Sequence, residues 1–242
     1  MRAAIICRRC GVTSSTRPSV LAFDLYGTLV DPIAIAAELD RMLPGGDGRA
    51  IAGLWRQKQV EYSFRATVMD RYRDFRWATE QALRFAAAAC DVSLSPEQHA
   101  DLTALYDHLQ PFEDAAPALR DLRAAGHRLV VFSNGSPDMI GNCLANSGLG
   151  KDLDSWVSID PVRAFKPAAI VYHHLVETLD ADVASVRLVS CNAFDIDGAH
   201  AAGLATAWVN RSGGPFDGLD EHPLTTVSSL TELRDVIDKE SL

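Results

Sequence analysis

Residues 20–28 read VLAFDLYGT, and this stretch decides the fold class of the chain. The apolar run Val20–Phe23 predicts a buried β-strand, because no polar position interrupts it. The strand ends in the carboxylate of Asp24, and a turn containing Gly27 follows. Such a turn can point successive backbone N–H groups at an anion. An Asp-x-x-Gly sequence also begins many ordinary turns, so at this point a purely structural interpretation stays open.

The chain after Pro111 alternates between helical and strand patterns. Strands that alternate with helices of this length indicate a parallel sheet covered by helices on both faces. We place Pro167 at the first position of its helix, where proline is favoured. The predicted strands are 128–132, 156–159, 187–189 and 206–209, and the predicted helices are 115–125, 137–147, 167–179, 193–202 and 230–239.

A long helical insertion separates the first strand from this alternating region. Between Pro32 and Pro111 the sequence carries amphipathic helical patterns and no strand signal of comparable quality. Ligands of parallel sheets bind beyond the carboxyl ends of the strands, which an insertion after the first strand can cover. We therefore predict an α/β fold: a Rossmann-like parallel-sheet core formed by residues 19–32 and 111–242, with an inserted all-helical cap formed by residues 33–110.

The bulk composition excludes several classes of function. The 242 residues are 48% hydrophobic and 23% charged, as in an ordinary soluble globular enzyme. The net charge of −9 argues against a nucleic-acid partner. No apolar run approaches the roughly 18 residues that would cross a membrane. The five cysteines form no disulfide framework and favour a reducing, cytoplasmic location.

The first 18 residues differ from the rest in charge, because they contain four arginines and no acidic residue. Their apolar stretch, residues 3–6, is too short for a secretory signal. We expect a disordered extension or an upstream start codon chosen in error. Cys7 and Cys10 form a C-x-x-C pair without a second pair, so we expect no zinc site there.

Polar side chains lie at or near several further predicted strand ends. They are Ser133 and Asn134 after strand 128–132, Lys166 before its helix, and Ser190, Asn192 and Asp195 after strand 187–189. Because the carboxyl ends of parallel strands meet at one edge of a sheet, we expect these residues to approach Asp24. Two alternatives remain: Lys166 as an ordinary loop lysine, and Ser190 and Asn192 as caps of the following helix.

The four segments around these residues, in this order and spacing, resemble the motifs of the haloacid dehalogenase superfamily. Within it they resemble the type II L-2-haloacid dehalogenases, also called (S)-2-haloacid dehalogenases. The similarity extends into the predicted cap, where residues 54–62, LWRQKQVEY, are similar to that family's arginine-bearing stretch. The resemblance covers the chain from residue 20 to residue 238.

Two positions separate the chain from the phosphatases of that superfamily. The phosphatases resemble one another in an Asp-x-Asp first motif, whose second Asp protonates a poor leaving group. Here Tyr26 stands at that position, with an ordinary pKa of about 10, whereas halide leaves without a proton. Phosphatases also hold Mg²⁺ with acidic residues at the fourth motif, where this chain has Ser190 and Asn192, with Asp195 further on. We therefore expect no metal and no organic cofactor.

The resemblance implies covalent catalysis on a small anionic 2-haloacid. Asp24 would displace the halide and form an ester, which water would then hydrolyse. Two unit charges about 4 Å apart repel by roughly 4 kcal/mol at an effective dielectric constant of about 20, so cations must offset the meeting of nucleophile and substrate. Arg56 and Lys166 are the candidates, and Lys166 would also keep Asp24 ionised.

The same resemblance assigns the other site residues. Asp195 is expected to be the general base, in preference to Asp197. Ser190 and Asn192 would position that base or the water. The halide would be held by Arg56, Asn134 and Phe194. The substrate carboxylate would be held by Ser133 and the backbone N–H groups of Leu25 and Tyr26. Thr28 and Tyr172 would support this network by hydrogen bonds, and Tyr172 and Phe75 would border the substrate.

The predicted function is hydrolysis of short (S)-2-haloalkanoic acids to (R)-2-hydroxy acids. The resemblance also implies a homodimer with cap helices in its interface. Three alternatives stay open: the same mechanism on fluoroacetate or another carbon electrophile such as a strained ring, a binding module without turnover, and a phosphatase-like enzyme. A phosphatase would be revealed by Mg²⁺-dependent release of phosphate.

Overall fold

The computed structural model describes residues 20–43, 47–219, 223 and 225–240. The expected extension 1–18, with Cys7 and Cys10, lies outside the described residues.

The core of the described residues is one parallel sheet. Its strands are β1 (Val20–Phe23), β2 (Arg128–Ser133), β3 (Ser155–Ser158), β4 (Val186–Ser190), β5 (Ala205–Val209) and β6 (Thr225–Val227), in the spatial order β3-β2-β1-β4-β5-β6. Phe23 of the buried strand β1 pairs with Val131 of β2 and Val189 of β4. The carboxyl ends of these three strands therefore lie side by side. Strands β2 and β3 lie on one side of β1 and strands β4 to β6 lie on the other, and a ligand crevice usually forms where the strand order reverses in this way.

The inserted segment that follows β1 is built from helices. These are α1 (Ala36–Met42), α2 (Gly48–Val68), α3 (Phe75–Ala89) and α4 (Pro96–Ala104). Each of the last three begins where a side-chain oxygen accepts an otherwise unpaired backbone N–H. Asp47 accepts from Ala50, and Asp74 accepts from Trp77. At α4, Ser95 and Gln98 form a reciprocal capping box.

The helices of the core follow, in alternation with its strands. They are α5 (Ala115–Ala124), α6 (Pro137–Ser147), α7 (Ala169–Leu179), α8 (Ala193–Ala201) and α9 (Leu233–Glu240). α5 packs on β2, α6 on β3, and α8 on both β4 and β5. The predicted α/β class, with a parallel sheet and a helical cap, is confirmed, and the residue bounds assigned to core and cap stay a prediction.

The structure corrects three details of the predicted elements. Pro167 is not the first residue of α7, because the N–H of Ala168 donates to Phe165 O at 3.0 Å and closes a turn ahead of the helix. Strand β6 was not predicted, since three residues are too short for a periodic signal. The last predicted helix begins as a 3₁₀ turn, residues 230–232, and becomes α-helical only at Leu233.

Polar contacts join the cap to the segment of the core that follows β3. The Tyr72 hydroxyl donates to Asp160 Oδ1 at 2.6 Å, and the Phe165 N–H donates to Thr67 Oγ1 at 3.0 Å. These contacts fix α2 and the start of α3 against the edge of the sheet where the site residues lie. No helix within the described ranges is long and apolar enough to cross a membrane.

Candidate active site

Asp24 lies at the carboxyl end of β1, and hydrogen bonds hold both oxygens of its side chain. The residue is 6% exposed. Its Oδ1 accepts from Lys166 Nζ at 3.1 Å. Its Oδ2 accepts from Asn192 Nδ2 at 2.7 Å and from Thr28 Oγ1 at 3.2 Å. The following turn, with Gly27 at a φ of 95°, returns the chain so that Thr28 can reach back to the carboxylate.

Lys166 is buried, with 1% of its surface exposed, and lies between two carboxylates. Its Nζ donates to Asp24 Oδ1 at 3.1 Å, to Asp195 Oδ2 at 2.8 Å and to the carbonyl of Phe132 at 2.8 Å. These contacts use all three N–H groups of an ammonium. Burial alone would lower the pKa of Lys166, but Asp195 and Asp24 outweigh it and raise the pKa above its ordinary 10.5. The interpretation of Lys166 as an ordinary loop lysine is therefore wrong.

Asp195 is fully buried on the far side of this ammonium. Its Oδ1 accepts from the Tyr172 hydroxyl at 2.8 Å. Burial raises the pKa of Asp195 above its ordinary 3.8, although Lys166 acts in the opposite direction. Burial and the nearby Asp195 also raise the pKa of Tyr172, so this phenol remains a hydrogen-bond donor. The alternative acid Asp197 instead accepts from the backbone of Leu219.

Three hydrogen-bond donors lie at the ends of β1 and β2. Among the described residues, the N–H groups of Leu25 and Tyr26 have no acceptor, and neither has the hydroxyl proton of Ser133. The Ser133 oxygen accepts from the Gly135 N–H at 3.1 Å, which orients the hydroxyl. Because Phe23 pairs with Val131, Leu25 and Ser133 lie at matching positions two residues further on. This arrangement suits a carboxylate.

Arg56 reaches from α2 of the cap to the loop after β1. Its Nη2 donates to Tyr26 O at 3.0 Å and lies 3.5 Å from Asn192 Oδ1. Its Nη1 donates to Gln59 Oε1 at 2.8 Å. Asn192 thus contacts both the Asp24 carboxylate and the Arg56 guanidinium. The structure thus brings Arg56 to the loop that follows Asp24.

The side chain of Asn192 does not cap the following helix, and the expectation that Asn192 and Ser190 position the base or the water stays a prediction. Asn192 occupies the N-cap position of α8, but its side chain makes no cap hydrogen bond and turns to Asp24. The Ser190 hydroxyl accepts from the Asn192 N–H at 3.1 Å, which shapes the loop. Thr28 Oγ1 accepts from the Cys191 N–H at 2.9 Å and ties this loop to the turn after Asp24.

The other residues predicted to touch the halide or the substrate lie around this centre. Asn134 Oδ1 accepts from the Lys166 backbone N–H at 3.0 Å, and its Nδ2 has no acceptor among the described residues. The Phe194 ring packs edge-on against Phe64 of α2, with centroids 5.0 Å apart. Within the described part of the chain, neither Asn134 nor Phe194 hydrogen-bonds or stacks with Arg56, so a shared halide site stays a prediction.

Two aromatic residues predicted to border the substrate are buried. Phe75 packs against the ring of Tyr26 at 5.6 Å between centroids and against Phe165 at 5.9 Å. Tyr172 directs its hydroxyl at Asp195, so its observed role is in the network around that acid. These positions place Phe75 beside the first loop and Tyr172 behind the carboxylates.

Position 26 holds a phenol that keeps its proton, and an ammonium lies between the two site carboxylates. Burial raises the pKa of Tyr26 well above 10.0, and its hydroxyl lies in a buried position without a partner among the described residues. Asp24 and Asp195 are both paired with the Lys166 ammonium, which occupies the place between them. No cluster of three or more metal-ligating side chains occurs in the described ranges.

Comparison with known proteins agrees with this geometry. The family model described as haloacid dehalogenase-like hydrolase matches residues 18–203. An (S)-2-haloacid dehalogenase of Pseudomonas sp. (strain YL) is 39% identical over 210 residues, which cover 87% of this chain and 90% of that protein. Haloacetate dehalogenase H-2 of Moraxella sp. (strain B) is 37% identical over 207 residues, covering 86% of this chain and 92% of that protein.

A solved structure gives the same result. The L-2-haloacid dehalogenase from Xanthobacter autotrophicus with chloropropionic acid covalently bound superimposes with a TM-score of 0.84. It is 33% identical, and the match covers 91% of this chain and 98% of that one. The fold and site define a hydrolase with an aspartate at the end of its central strand. The chain belongs to the haloacid dehalogenase-like hydrolase family.

Proposed function

We propose that this protein is a metal-independent (S)-2-haloacid dehalogenase that forms an ester on Asp24. One observation carries the proposal: a buried ammonium, Lys166, touches both Asp24 and Asp195, while Tyr26 stands where a phosphatase needs an acid. The site thus has a nucleophile, a protein cation and a second carboxylate, and it has no proton donor for a poor leaving group. The names of the relatives point to the same reaction.

In the first step the substrate carboxylate binds the N–H groups of Leu25 and Tyr26 and the Ser133 hydroxyl. An oxygen of Asp24 attacks C2 from the side opposite the halogen. The new C–O bond forms as the carbon–halogen bond breaks, and the halide leaves with the electron pair, so the configuration at C2 is inverted. Lys166 and Arg56 offset the repulsion between the two carboxylates, which would otherwise cost roughly 4 kcal/mol.

In the second step water attacks the acyl carbon of the ester on Asp24. Asp195 accepts the proton of the water, and the acyl–oxygen bond breaks. The departing oxygen takes this proton from Asp195 and leaves as the hydroxyl of a 2-hydroxy acid, and the second proton of the water is released to solvent as Asp24 ionises. The oxygen of the water remains in the carboxylate of Asp24. The raised pKa of Asp195 brings this group closer to the proton affinity that a base needs near neutral pH.

Halide release tests the proposal. We expect the (S) enantiomer of 2-chloropropionate to be hydrolysed with and without EDTA, and Asp24→Asn to release no halide. Asp31→Asn is the control, because Asp31 only caps the Ile33 N–H. In ¹⁸O-water, a single turnover with excess enzyme places the label on Asp24. Label found in the product alone, or activity that EDTA abolishes, would refute the proposal.

A second substrate class, the haloacetates, is favoured by the similarity to haloacetate dehalogenase H-2 of Moraxella sp. (strain B). The same two steps apply to a haloacetate, without a stereocentre. Chloride release from chloroacetate, compared with chloride release from 2-chloropropionate under the same conditions, separates the two classes. A rate on chloroacetate above that on 2-chloropropionate would make haloacetates the main substrates.

The cap carries an exposed apolar surface that supports a homodimer. Val68, Met69, Trp77 and Phe85 of this region are all exposed, Val68 at 87% and Trp77 at 40%. Burying such a surface against a second copy removes it from water. Light scattering tests this. We expect a dimer that Trp77→Glu converts to a monomer. Trp156→Glu, at an equally exposed tryptophan of β3, should leave the dimer intact.

The free Cys90, Cys143 and Cys191 support a cytoplasmic location.

A further inference from the structure

Arg56 is held from behind by a buried side chain of its own helix. Gln59 is fully buried, and its Oε1 accepts from Arg56 Nη1 at 2.8 Å. Its Nε2 donates to Thr79 Oγ1 of α3 at 2.7 Å. Thr79 is also fully buried, and its hydroxyl donates to the carbonyl of Phe75 at 2.7 Å. A chain of hydrogen bonds therefore runs from α3 through Gln59 to the guanidinium.

Thr79 on one side of the Gln59 amide and Tyr106 on the other decide which way it points, since the Tyr106 hydroxyl also donates to Gln59 Oε1, at 3.4 Å. A hydroxyl has one proton, and Thr79 uses it on the Phe75 carbonyl, so toward Gln59 it can only accept. The NH₂ group of Gln59 must therefore face Thr79, and its oxygen must face Arg56. In the flipped orientation, the NH₂ group of Gln59 would face the N–H groups of Arg56, and the hydrogen bond between Gln59 and Arg56 would be lost.

We propose that Gln59 and Thr79 are positioning residues for the halide-binding arginine. The inference rests on the proposed function, in which Arg56 stabilises the leaving halide. An arginine has five N–H donors, and the contacts to Gln59, Tyr26 and Asn192 use three, which leaves two for an anion. Holding the flexible side chain in place before the substrate binds removes the cost of ordering it during the reaction.

The experiment compares two matched threonines. Thr79 and Thr103 are both buried in cap helices, and each donates to the carbonyl four residues earlier, at 2.7 and 2.8 Å. Thr103 has no contact with Gln59 in the described part of the chain. Thr79→Val and Thr103→Val therefore lose the same backbone contact, and only Thr79→Val removes the acceptor that orients Gln59. Both are expected to lower Tm, and Thr79→Val more than Thr103→Val, because it also leaves the buried Gln59 Nε2 without its acceptor.

The readout is the ratio of rates on 2-bromopropionate and 2-chloropropionate. Chloride is the poorer leaving group and depends more on a well-placed cation. We expect kcat of Thr79→Val on the chloride substrate to fall about fivefold to tenfold, the equivalent of one misdirected hydrogen bond. The rate on 2-bromopropionate should fall less, so the ratio of the bromide rate to the chloride rate should rise. Thr79→Ser should restore the wild-type ratio, and Thr103→Val should not change it.

The outcomes separate this inference from the proposed function. A wild-type protein that releases halide, together with equal bromide-to-chloride ratios in Thr79→Val and Thr103→Val, overturns the positioning role alone. Failure of Thr79→Ser to restore the ratio overturns it as well. A wild-type protein that releases neither halide overturns both proposals.

Discussion

The two halves of the site differ in how their charges are held. In the core half, Lys166 is buried and its three donors are all satisfied by Asp24, Asp195 and a backbone carbonyl. In the cap half, Arg56 is only partly buried, and its contacts are a backbone carbonyl and two neutral amides. The positive charge of Lys166 is therefore balanced by two carboxylates before any substrate binds, whereas the positive charge of Arg56 remains available to an anion.

This difference suggests a division of labour. In the proposed mechanism the core half prepares the nucleophile, because Lys166 fixes and neutralises part of the charge of two carboxylates. The cap half would serve the anion that enters and the anion that leaves, because an arginine without a carboxylate partner can bind either. Changes in the core half should damage both stability and chemistry, whereas changes in the cap half should act on the leaving group. The following predictions test this contrast.

The largest effect is expected for Lys166→Met. The variant leaves Asp24 and Asp195 buried without a cation, which costs about 3–5 kcal/mol of unfolding free energy. Activity should fall by at least about a thousandfold, because the nucleophile is no longer aimed. Chemical denaturation and halide release measure the two effects. Lys151→Met, at an exposed lysine, controls for the lost charge. A loss of unfolding free energy smaller than that of Arg56→Lys would contradict the contrast between the core half and the cap half of the site.

Asp195→Asn should block the second step and spare the first. We expect one equivalent of halide per site in a burst, followed by steady turnover about 10² to 10³ times slower than in the wild type, since general base catalysis is lost. Intact-protein mass spectrometry should show the ester on Asp24. Asp197→Asn, two residues away, should turn over normally. A stalled variant without an adduct would assign Asp195 to the first step.

A smaller effect is expected for Arg56→Lys, which keeps the charge but loses the planar fork. We expect kcat on 2-chloropropionate to fall about thirtyfold, with a smaller loss on the bromide substrate. Unfolding free energy should change little, unlike that of Lys166→Met. Arg49→Lys, at an exposed position of the same helix, is the control. A raised KM with an unchanged kcat would mean that Arg56 binds the substrate and has no effect on the halide.

The pH dependence of ester hydrolysis gives the mildest test. Asp195 must be ionised to accept a proton, and burial raises its pKa above 3.8. The rate should therefore fall as the pH drops through this raised pKa, by about tenfold per pH unit. Rapid-quench measurement of ester decay gives the profile. A rate that begins to fall only at or below pH 3.8, the ordinary pKa of an aspartate, would contradict the role of Asp195 as the base.

The core half of the site could be predicted from the sequence, because its residues follow strand ends. Asp24, Ser133 and Asp195 follow predicted strands, and parallel strands present their carboxyl ends at one edge. The approach of Asn192 to Asp24 was expected for the same reason, but the hydrogen bond between their side chains was not. The sequence position of Asn192 is that of a helix cap, and only the proximity of β1 and β4 gives its amide a carboxylate to bind.

The cap half was predicted less completely. Arg56 was identified through its sequence context, but its orientation depends on Gln59 and Thr79, which lie 20 residues apart on different helices. Gln59 follows Arg56 by three residues, so helix spacing could have suggested that the two side chains meet. Nothing in the local sequence around Thr79 indicates that its hydroxyl meets that amide. The packing of α2 on α3 decides it.

The sequence by itself determined the class of fold, the carboxylate at the end of the first strand and the absence of a carboxylic acid at position 26. These features depend on local patterns: an apolar run, a glycine turn and the identity of one residue. Only the tertiary structure decided that Lys166 lies between two carboxylates and that Arg56 is held by a buried amide. Each of these contacts joins residues distant in the chain, and its strength depends on burial, which residue order does not specify.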